Sequence, residues 1–438
     1  MTKRNLSVSA LSEGYLPTLS APILLLLLTL TACDFSPVPP PSTPIPIPPA
    51  TRTPVPLPTN TSIAQSPTPV PQFPTPTGKV VWQVRLDGGI ASSPAIGAGL
   101  LYVATQGGPF YALDAATGQE RWQATFDGEI SGSFVISRSV LYAGATFLDT
   151  GARQGGVVAF DTQDGHELWR YTAGGENVTS PVLVGRLLIF GSDDDKVYAV
   201  DTRVAEERWT YDAGAPLDAP PIAADGIVYI GDATGTFHAL DAANGNLLWK
   251  LDAGNRERIL PLTYTTLTSA YAAGDTVYFA NVLEGPVYAV DTARGSERWR
   301  FATTGLMTPV PTAEPGERDA SIVSSPPVAA GDTVYIGISF GPLGIPVPDR
   351  IGYLYALDAR TGRERWKVQA ETQVVGRPIV QGNTIYYAAN AGILHAAGTS
   401  TGADRWSFEA DSPINAPLLL SESTLYFGTL GGEFYALR

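Results

Sequence analysis

The chain has 438 residues, of which 16% are charged, and its formal net charge is −14. It contains 45 Gly, 37 Pro and one Cys. Many turn-forming residues and few charges are typical of a β protein with many short strands. One cysteine excludes a disulfide framework, a cysteine zinc site and an iron–sulfur cluster. The negative charge disfavours a surface that follows nucleic-acid phosphates, so no nucleic acid is expected among the partners.

Residues 1–32 predict an export signal. Lys3 and Arg4 precede an apolar run within residues 21–30, which is about eight to ten residues long, whereas a bilayer span takes about 20. The run ends in Leu30-Thr31-Ala32-Cys33, which resembles the lipobox of bacterial lipoproteins. That resemblance implies that Cys33 is lipidated and holds the mature chain on the extracytoplasmic side of the bacterial cell membrane. The alternative is an ordinary secretory signal with an incidental cysteine.

Residues 33–78 predict a lipid-anchored, disordered stalk. Of residues 34–77, sixteen are Pro and twelve are Ser or Thr. Such a composition cannot bury a hydrophobic core and favours polyproline II. Extended at about 3.1 Å per residue, the stalk would hold the body up to roughly 130 Å from its anchor. We interpret it as a spacer through an envelope layer or cell wall.

From residue 79 onward an eleven-residue segment recurs. Its pattern is Ala-x-Asp-x-x-x-Gly-x-x-x-Trp, with Ala205 in place of one Gly and Gly398 in place of one Asp. Two short β-type patterns precede each copy, and the first often carries a small residue before Pro, as in Ser93-Pro94. Each unit therefore predicts four strands, termed inner, second, third and outer. The copies are Ala112–Trp122, Ala159–Trp169, Ala199–Trp209, Ala239–Trp249, Ala289–Trp299, Ala356–Trp366 and Ala396–Trp406.

The number of third strands indicates the architecture. There are eight, and the last, at 434–438, has no outer strand after it. An outer-type strand at 79–86 has no inner strand before it. If the N-terminal strand pairs with the last blade, it supplies the outer strand that this blade lacks. The pairing also closes the ring, which removes exposed sheet edges. Residues 79–438 are therefore predicted to form a single all-β, eight-bladed β-propeller.

The tryptophans that end the repeats predict contacts between blades. The Asp is expected to cap the turn, the Gly to adopt a positive φ, and the Trp to lie four residues later on the outer strand. Each such ring buries about 150–250 Å², so eight at equivalent places would join neighbouring blades. They are Trp82, Trp122, Trp169, Trp209, Trp249, Trp299, Trp366 and Trp406.

The repeat resembles the tryptophan-docking motif of the quinoprotein (PQQ-like) propeller family over residues 79–438. Dehydrogenases of that family hold pyrroloquinoline quinone (PQQ) in the central funnel under a disulfide between adjacent cysteines, together with calcium and a catalytic Asp. The only cysteine here is Cys33, outside the propeller, so that disulfide cannot form. Lipobox and repeats together are most similar to the BamB family, the lipoprotein subunits of outer-membrane β-barrel assembly. This resemblance implies no enzymatic activity, no PQQ or other cofactor, and protein partners in the envelope.

Two features depart from the BamB pattern. The stalk is longer than an outer-membrane subunit would need, and its length suits a cell-wall environment. Asp34 directly follows Cys33 and resembles an inner-membrane retention signal. The sequence therefore leaves open which membrane holds the anchor.

Other candidate chemistry is sparse. His238 and His395 take the third-strand position that holds Tyr in other units, so both are expected to be packed strand residues, and His166 is expected in a solvated turn. Three consecutive carboxylates are weak candidates for binding a cation such as calcium. They also fall where a hairpin turn is expected, and Asp favours turns, so no metal site is predicted. These residues are Asp193, Asp194 and Asp195.

The spacing between tryptophans indicates a functional face. It is 40 residues in most units and rises to 47, 50 and 67 in three of them. The additional residues fall at 146–156, 254–267, 303–322 and 340–352, all in connections that an up-and-down blade places on one side of the ring. Repeat proteins tend to carry insertions on the binding face, and the alternative is drift in tolerant loops. The candidate partner-binding residues are Arg256, Arg258, Tyr264, Met307, Glu317, Arg318 and Phe340.

Two functional classes fit these observations. The first is a membrane-anchored, monomeric propeller that acts as a non-catalytic scaffold for envelope proteins. The second is a quinone- or glycan-binding propeller, similar to the PQQ-dependent dehydrogenases. Acidic and amide groups converging at the funnel mouth would favour the second class, whereas a channel filled by side chains would favour the first.

Overall fold

The structure is a computed structural model that describes residues 74–149, 152–254, 267–283, 285–303, 319–342 and 350–438. These residues form 33 β-strands in eight antiparallel sheets, which are the eight blades of a β-propeller. The predicted fold is therefore confirmed. Within the described segments, no helix has the length and apolarity needed to cross a membrane.

The blades are numbered in chain order from the first inner strand, and the N-terminal strand β1 (Val80–Arg85) belongs to blade 8. Blades 1 and 2 contain β2 (Ala95–Gly97), β3 (Leu100–Ala104), β4 (Phe110–Asp114) and β5 (Glu120–Ala124), then β6 (Gly128–Ser137), β7 (Val140–Asp149), β8 (Ala152–Asp161) and β9 (Glu167–Thr172). Blades 3 and 4 contain β10 (Val182–Val184), β11 (Leu187–Gly191), β12 (Lys196–Asp201) and β13 (Glu206–Asp212), then β14 (Ile222–Ala224), β15 (Ile227–Gly231), β16 (Thr236–Asp241) and β17 (Leu247–Asp252).

Blades 5 and 6 contain β18 (Tyr271–Ala273), β19 (Thr276–Ala280), β20 (Val287–Asp291) and β21 (Glu297–Phe301), then β22 (Asp319–Val323), β23 (Val328–Ala330), β24 (Thr333–Pro342), β25 (Ile351–Asp358) and β26 (Glu364–Ala370). Blades 7 and 8 contain β27 (Val374–Gln381), β28 (Thr384–Ala389), β29 (Ile393–Gly398) and β30 (Asp404–Glu409), then β31 (Leu419–Ser421), β32 (Thr424–Gly428) and β33 (Glu433–Leu437), with β1 as the outer strand.

The hydrophobic core lies between the blades. Second and third strands are apolar along their length because a neighbouring blade covers each of their faces, and Leu101 and Val103 of β3 are fully buried. Eight buried clusters match the eight interfaces of the ring. At one of them, Phe237 of blade 4 stacks on Phe279 of blade 5 with ring centroids 3.8 Å apart.

The N-terminal strand closes the ring as predicted. β1 pairs antiparallel with β33, with Trp82 opposite Ala436 and Arg85 opposite Glu433. Reciprocal backbone hydrogen bonds of 3.0 and 2.8 Å join Lys79 and Arg438 at the end of this ladder. Blade 8 therefore consists of the first strand and the last three strands of the described chain.

Each blade carries a one-residue β-bulge just before its tryptophan. In blade 1, Ala112 lies opposite Trp122 and Leu113 opposite Glu120, so Arg121 is the additional residue. The bulge leaves Arg121 free to bind Asp114 of the same repeat at 2.6 Å. Equivalent pairs join Arg208 to Asp201, Arg298 to Asp291, and Arg365 to Asp358.

Seven of the eight indole N–H groups donate to a carbonyl oxygen of the next unit at 2.8–3.1 Å. Each of these rings also covers the glycine of the next turn, as Trp209 covers Gly245, whose φ is +74°. A Cβ at Gly245 would lie 2.5 Å from Trp209 Cε3, so the close approach requires glycine. The exception is Trp169, because Ala205 stands at the matching place with a φ of 55°.

Blade 6 departs from the predicted four strands. The additional strand β22 pairs with the distal half of β24, with Ser321 opposite Phe340. Phe340 was predicted as a candidate partner-binding residue in a lengthened loop, and its placement in a loop is wrong. It lies inside β24 with only 6% of its surface exposed and packs edge-on against Tyr353, with centroids 5.8 Å apart. β24 and β25 are elongated, and Phe340 is buried in the apolar cluster on one side of this strand pair.

Candidate functional site on the insertion face

The strand order of the blades assigns every loop to one of two faces. Because each blade runs inner, second, third, outer in antiparallel order, the second-to-third hairpins and the linkers between blades emerge together. We call this side the insertion face, since all four lengthened segments fall in those connections. The opposite side carries the Asp-x-x-x-Gly turns and is called the turn face.

Blade 2 raises a hairpin on the insertion face. β7 and β8 are each ten residues long, whereas β3 and β4 of blade 1 have five residues each. Phe147 is 1% exposed beneath this hairpin, and the Arg170 guanidinium lies 4.8 Å from its ring centroid. Leu148, next to Phe147, is 58% exposed. Near its tip the hairpin is therefore packed on one face, through Phe147, and presents the apolar Leu148 on the other.

Blade 6 raises the second hairpin. β24 and β25 have ten and eight residues, and β22 widens them into a sheet. The hydroxyl groups of Thr303 and Ser321 are hydrogen-bonded at 2.9 Å in a buried position, which fixes β22 to the end of blade 5. Blades 2 and 6 are four places apart in a ring of eight, so the two raised hairpins stand on opposite sides of the insertion face.

A cleft of about 200 Å³ opens between blades 1 and 2 beside the raised hairpin. Its walls include Ser92, Gln106 and Glu129, and Glu129 lies 3.6 Å from Arg153. This cleft combines hydroxyl, amide and carboxylate groups. It has the size of a site for one or two side chains rather than for a large cofactor.

The remaining predicted partner-binding residues and the lipidation site lie outside the described residues. These are Arg256, Arg258, Tyr264, Met307, Glu317, Arg318 and Cys33. The linkers that contain the first six begin after β17 and β21, at the insertion-face end of each outer strand. Their role in binding stays a prediction.

The propeller extends further toward the N-terminus than the predicted boundary at residue 79. The Trp406 indole donates to the carbonyl of Pro76 at 3.0 Å, and its ring covers Gly78. The Thr77 hydroxyl donates to the Arg438 carbonyl at 2.9 Å. A sequence signal exists, because Thr77-Gly78-x-x-x-Trp82 repeats the second half of the eleven-residue motif. The Pro-rich composition around it concealed that signal.

The three consecutive aspartates form a hairpin turn. Asp193 Oδ2 accepts hydrogen bonds from the backbone and side-chain amides of Asn177, at 3.1 and 2.9 Å. Asp194 Oδ2 accepts one from the Tyr198 hydroxyl at 2.6 Å, and Asp195 adopts a φ of 70°. Across the part of the chain that the structure describes, no three His, Cys, Asp or Glu side chains are grouped to hold a metal ion.

Two histidines are buried in third strands as predicted. His238 is 1% exposed and pairs through Nε2 with Asp232 Oδ2 at 2.9 Å, while the Tyr211 hydroxyl lies 3.2 Å from Nδ1. Burial opposes ionisation of Asp232, but hydrogen bonds from His238 and Thr234 outweigh it and lower the pKa of that carboxyl group. The Asp232–His238 pair belongs to blade 4, and its contact with Tyr211 of β13 joins it to blade 3.

One component of the dehydrogenase site of the fold family, the disulfide between adjacent cysteines, cannot form in this chain. Cys33 is the single cysteine of the chain, so an adjacent-cysteine disulfide has no second partner. On the insertion face, Asp193 and Asp194 accept hydrogen bonds within their hairpin through Oδ2.

Comparison with protein families gives one match along the propeller. A family model described as outer membrane protein assembly factor BamB matches residues 70–181, 153–341 and 350–438. The matched segments cover all eight blades.

Solved structures share the fold at low sequence identity. BamB from Moraxella catarrhalis is 18% identical with a TM-score of 0.64, over 82% of this chain and 99% of that chain. Quinohemoprotein alcohol dehydrogenase from Comamonas testosteroni is 13% identical with a TM-score of 0.64, over 82% and 76% of the two chains. The same fold thus serves an assembly factor and a dehydrogenase.

One curated relative matches a part of the chain. Serine/threonine-protein kinase AfsK from Streptomyces griseus is 29% identical over 121 residues, which is 28% of this chain and 12% of the kinase. The chain therefore spans only a small part of that relative's length.

Proposed function

Because the chain belongs to the family of outer membrane protein assembly factor BamB, we propose that it is a membrane-anchored, extracytoplasmic, non-catalytic scaffold that binds proteins of the cell envelope. The observation that carries this proposal is the distribution of its lengthened segments. All four occur in connections of the insertion face, and two of them are built as raised hairpins with ordered bases. Insertions concentrated on one face of a repeat ring are typical of a binding surface.

The proposed surface suits protein recognition better than small-substrate chemistry. Between the raised hairpins it spans several blades, and it offers exposed Leu148 together with the Glu129–Arg153 pair. Mixed apolar and charged groups over a wide area are typical of protein–protein interfaces. The proposed scaffold works as a monomer and without a cofactor.

The proposed location follows from the N-terminal segment. Lipidation of Cys33 would anchor the chain, and the Pro-rich stalk would hold the propeller away from the membrane. We expect Cys33→Ala to move the protein from the membrane to the soluble fraction, measured by immunoblotting after fractionation. Unchanged membrane association of that variant would contradict lipid anchoring.

An affinity pull-down from the native envelope tests the scaffold. The tagged full chain is compared with a variant lacking 305–321 on the insertion face and with Arg360→Ala/Arg363→Ala on the turn face, and captured proteins are identified by mass spectrometry. We expect the insertion-face deletion to lose the partner and the turn-face variant to keep it. Capture that survives the deletion would contradict the proposed surface.

The identity of the captured protein decides the narrower role. Recovery of an outer-membrane β-barrel assembly protein supports a role in barrel assembly. Recovery of a different envelope protein supports a general scaffold and rejects the assembly role. If no protein is captured specifically, the scaffold proposal fails.

A further inference from the structure

The innermost strand of blade 7 is interrupted. In β27, Val375 pairs with Ala388 and Ile379 with Tyr386, and the register shifts between them. Residues 376–378 therefore leave the ladder, and Gly376 supports this with a φ of 64°. Since β27 has no sheet partner on its inner side, the interruption faces the centre of the ring.

Arg377 occupies this interruption and reaches across the inside of the ring. Its Nη2 donates to the carbonyl oxygen of Ala270 at 2.7 Å and to the Ser269 hydroxyl at 3.4 Å. Its guanidinium carbon lies 5.6 Å from the centroid of the Tyr271 ring. All three residues belong to blade 5 or its inner linker, and blade 6 stands between. The side chain therefore crosses the central channel rather than a blade interface.

Among the residues that the structure describes, the contacts of the Arg377 guanidinium are neutral. Its partners are a carbonyl, a hydroxyl and an aromatic ring, and Nε is buried without a hydrogen-bond partner. Burial lowers the pKa of this guanidinium, although an arginine still remains protonated in a protein. By contrast, Arg121, Arg208 and Arg365 of the turn face each bind a carboxylate. A desolvated charge is stable only when it is compensated, so a compensating anion is expected.

At the register position of Arg377, four other blades have serine and the remaining three have proline. In blade 7, Arg377 lies two residues before Ile379, which pairs with Tyr386 of the second strand. The equivalent position in another blade lies two residues before the inner-strand residue that makes the corresponding pair. Neutral hydroxyl donors can bind an anion without adding charge. The serines are Ser93, Ser133, Ser180 and Ser269.

We propose that Arg377 anchors a site for a small oxyanion, a carboxylate or phosphate group, inside the central channel of the propeller. The guanidinium supplies the charge and the planar donors that such groups prefer, and serines occupy the equivalent register position in four other blades. This site is independent of the protein-binding role of the insertion face. If either the anion site or the protein-binding role is disproved, the other proposal is unaffected, because anion binding and partner capture are measured separately.

Isothermal titration calorimetry of the full-length chain, solubilised in detergent, tests the proposed anion site. Inorganic phosphate and acetate are titrated separately at constant ionic strength set with sodium chloride, into the wild type, Arg377→Gln and Arg405→Gln. Arg405 is the matched control, since it also binds neutral oxygens, those of Asn383 and Thr384, but is exposed on the turn face. We expect at least one anion to bind the wild type and Arg405→Gln equally, and Arg377→Gln at least tenfold more weakly.

The two anions identify the chemistry, because preference for phosphate or for acetate assigns the ligand class. No binding of either anion, or equal binding by Arg377→Gln, would overturn the proposal.

If Arg377→Gln does not fold, protection of Arg377 from chemical modification in the wild-type protein tests the same site. Phosphate or acetate should slow phenylglyoxal modification of Arg377, but not of Arg405, in peptides measured by mass spectrometry. Equal rates with and without the anions would reject the site.

Discussion

Each repeat tryptophan stabilises two blades at once. Trp249 is 9% exposed, lies 5.9 Å from Tyr229 of its own blade and donates to Thr292 of the next blade at 2.8 Å. Tyrosines of the second strand pack in this way against the tryptophan in seven blades, at 5.8–6.0 Å. The packing and the hydrogen bond are lost together when the indole is removed.

We expect Trp249→Ala to lower the free energy of unfolding by about 3–5 kcal/mol, because it leaves a cavity and an unpaired carbonyl at the interface of blades 4 and 5. Chemical denaturation measures the change. Trp169→Ala is the control and should cost less, since Trp169 is half-buried and its indole has no acceptor among the described residues. An unchanged denaturation curve for Trp249→Ala would contradict the role of the indole.

Ala205 is a local defect of the repeat. Its φ of 55° is the left-handed conformation that L-residues disfavour and glycine adopts readily. We expect Ala205→Gly to stabilise the protein by about 0.5–1 kcal/mol. The reciprocal change, Gly245→Ala, should destabilise it by forcing a Cβ against Trp209. Thermal denaturation of both variants checks the pair, and a loss of stability in Ala205→Gly would refute the argument.

At the level of strands, the regular parts of the ring follow from the sequence. The Asp, Gly and Trp of the repeat have a local role in each turn, so their spacing predicts the third and outer strands and the order of the blades. Departures from the repeat could not be predicted in this way. β22 pairs with residues of β24 that lie 15 to 23 positions later, and its sheet is the one with five strands among the described blades. Arg377 carries no motif, and only the register of β27 places it inside the ring.

The closing strand makes a testable contribution to stability. Deletion of residues 74–85 removes Trp82, the β1–β33 ladder and the acceptor of Trp406, and we expect a loss of at least about 3–5 kcal/mol, the value for one large buried ring alone. Deletion of 34–73 is the control and should leave the urea midpoint unchanged, because its composition favours no core. Equal midpoints for both deletions would exclude closure as a source of stability.

For the whole molecule, ionisable groups limit the stable pH range on both sides. Burial disfavours the charged form of Asp201, yet hydrogen bonds from Arg203 and Arg208 and the charge of Arg186 outweigh it and lower its pKa. A folded-state pKa below the unfolded value of about 4 means that this stabilisation is present above that pH and is lost as the pH falls.

At alkaline pH the limit comes from buried tyrosines, whose pKa is raised in the folded state rather than lowered. Burial raises the pKa of Tyr229 and Tyr386 to about 12. Their stabilisation is present below the unfolded pKa of about 10 and is lost as the pH rises toward the folded value. We expect urea midpoints to be highest between about pH 5 and 9 and to fall on both sides. A midpoint that rises from pH 7 to pH 3 would contradict the acidic half of this argument.

The pairing of β1 with β33 also orders the steps of biosynthesis. The chain is made from its N-terminus, so the strand at 80–85 is made before blades 1–7, yet its partner at 433–437 is made after them. Blades 1–7 can pack in sequence as they emerge, because their strands are near neighbours along the chain. Throughout this period the incomplete ring exposes an apolar blade surface at each end. A chain whose synthesis stops shortly before residue 433 would be released as an open ring. Such a chain is expected to aggregate or to be degraded by quality-control proteases.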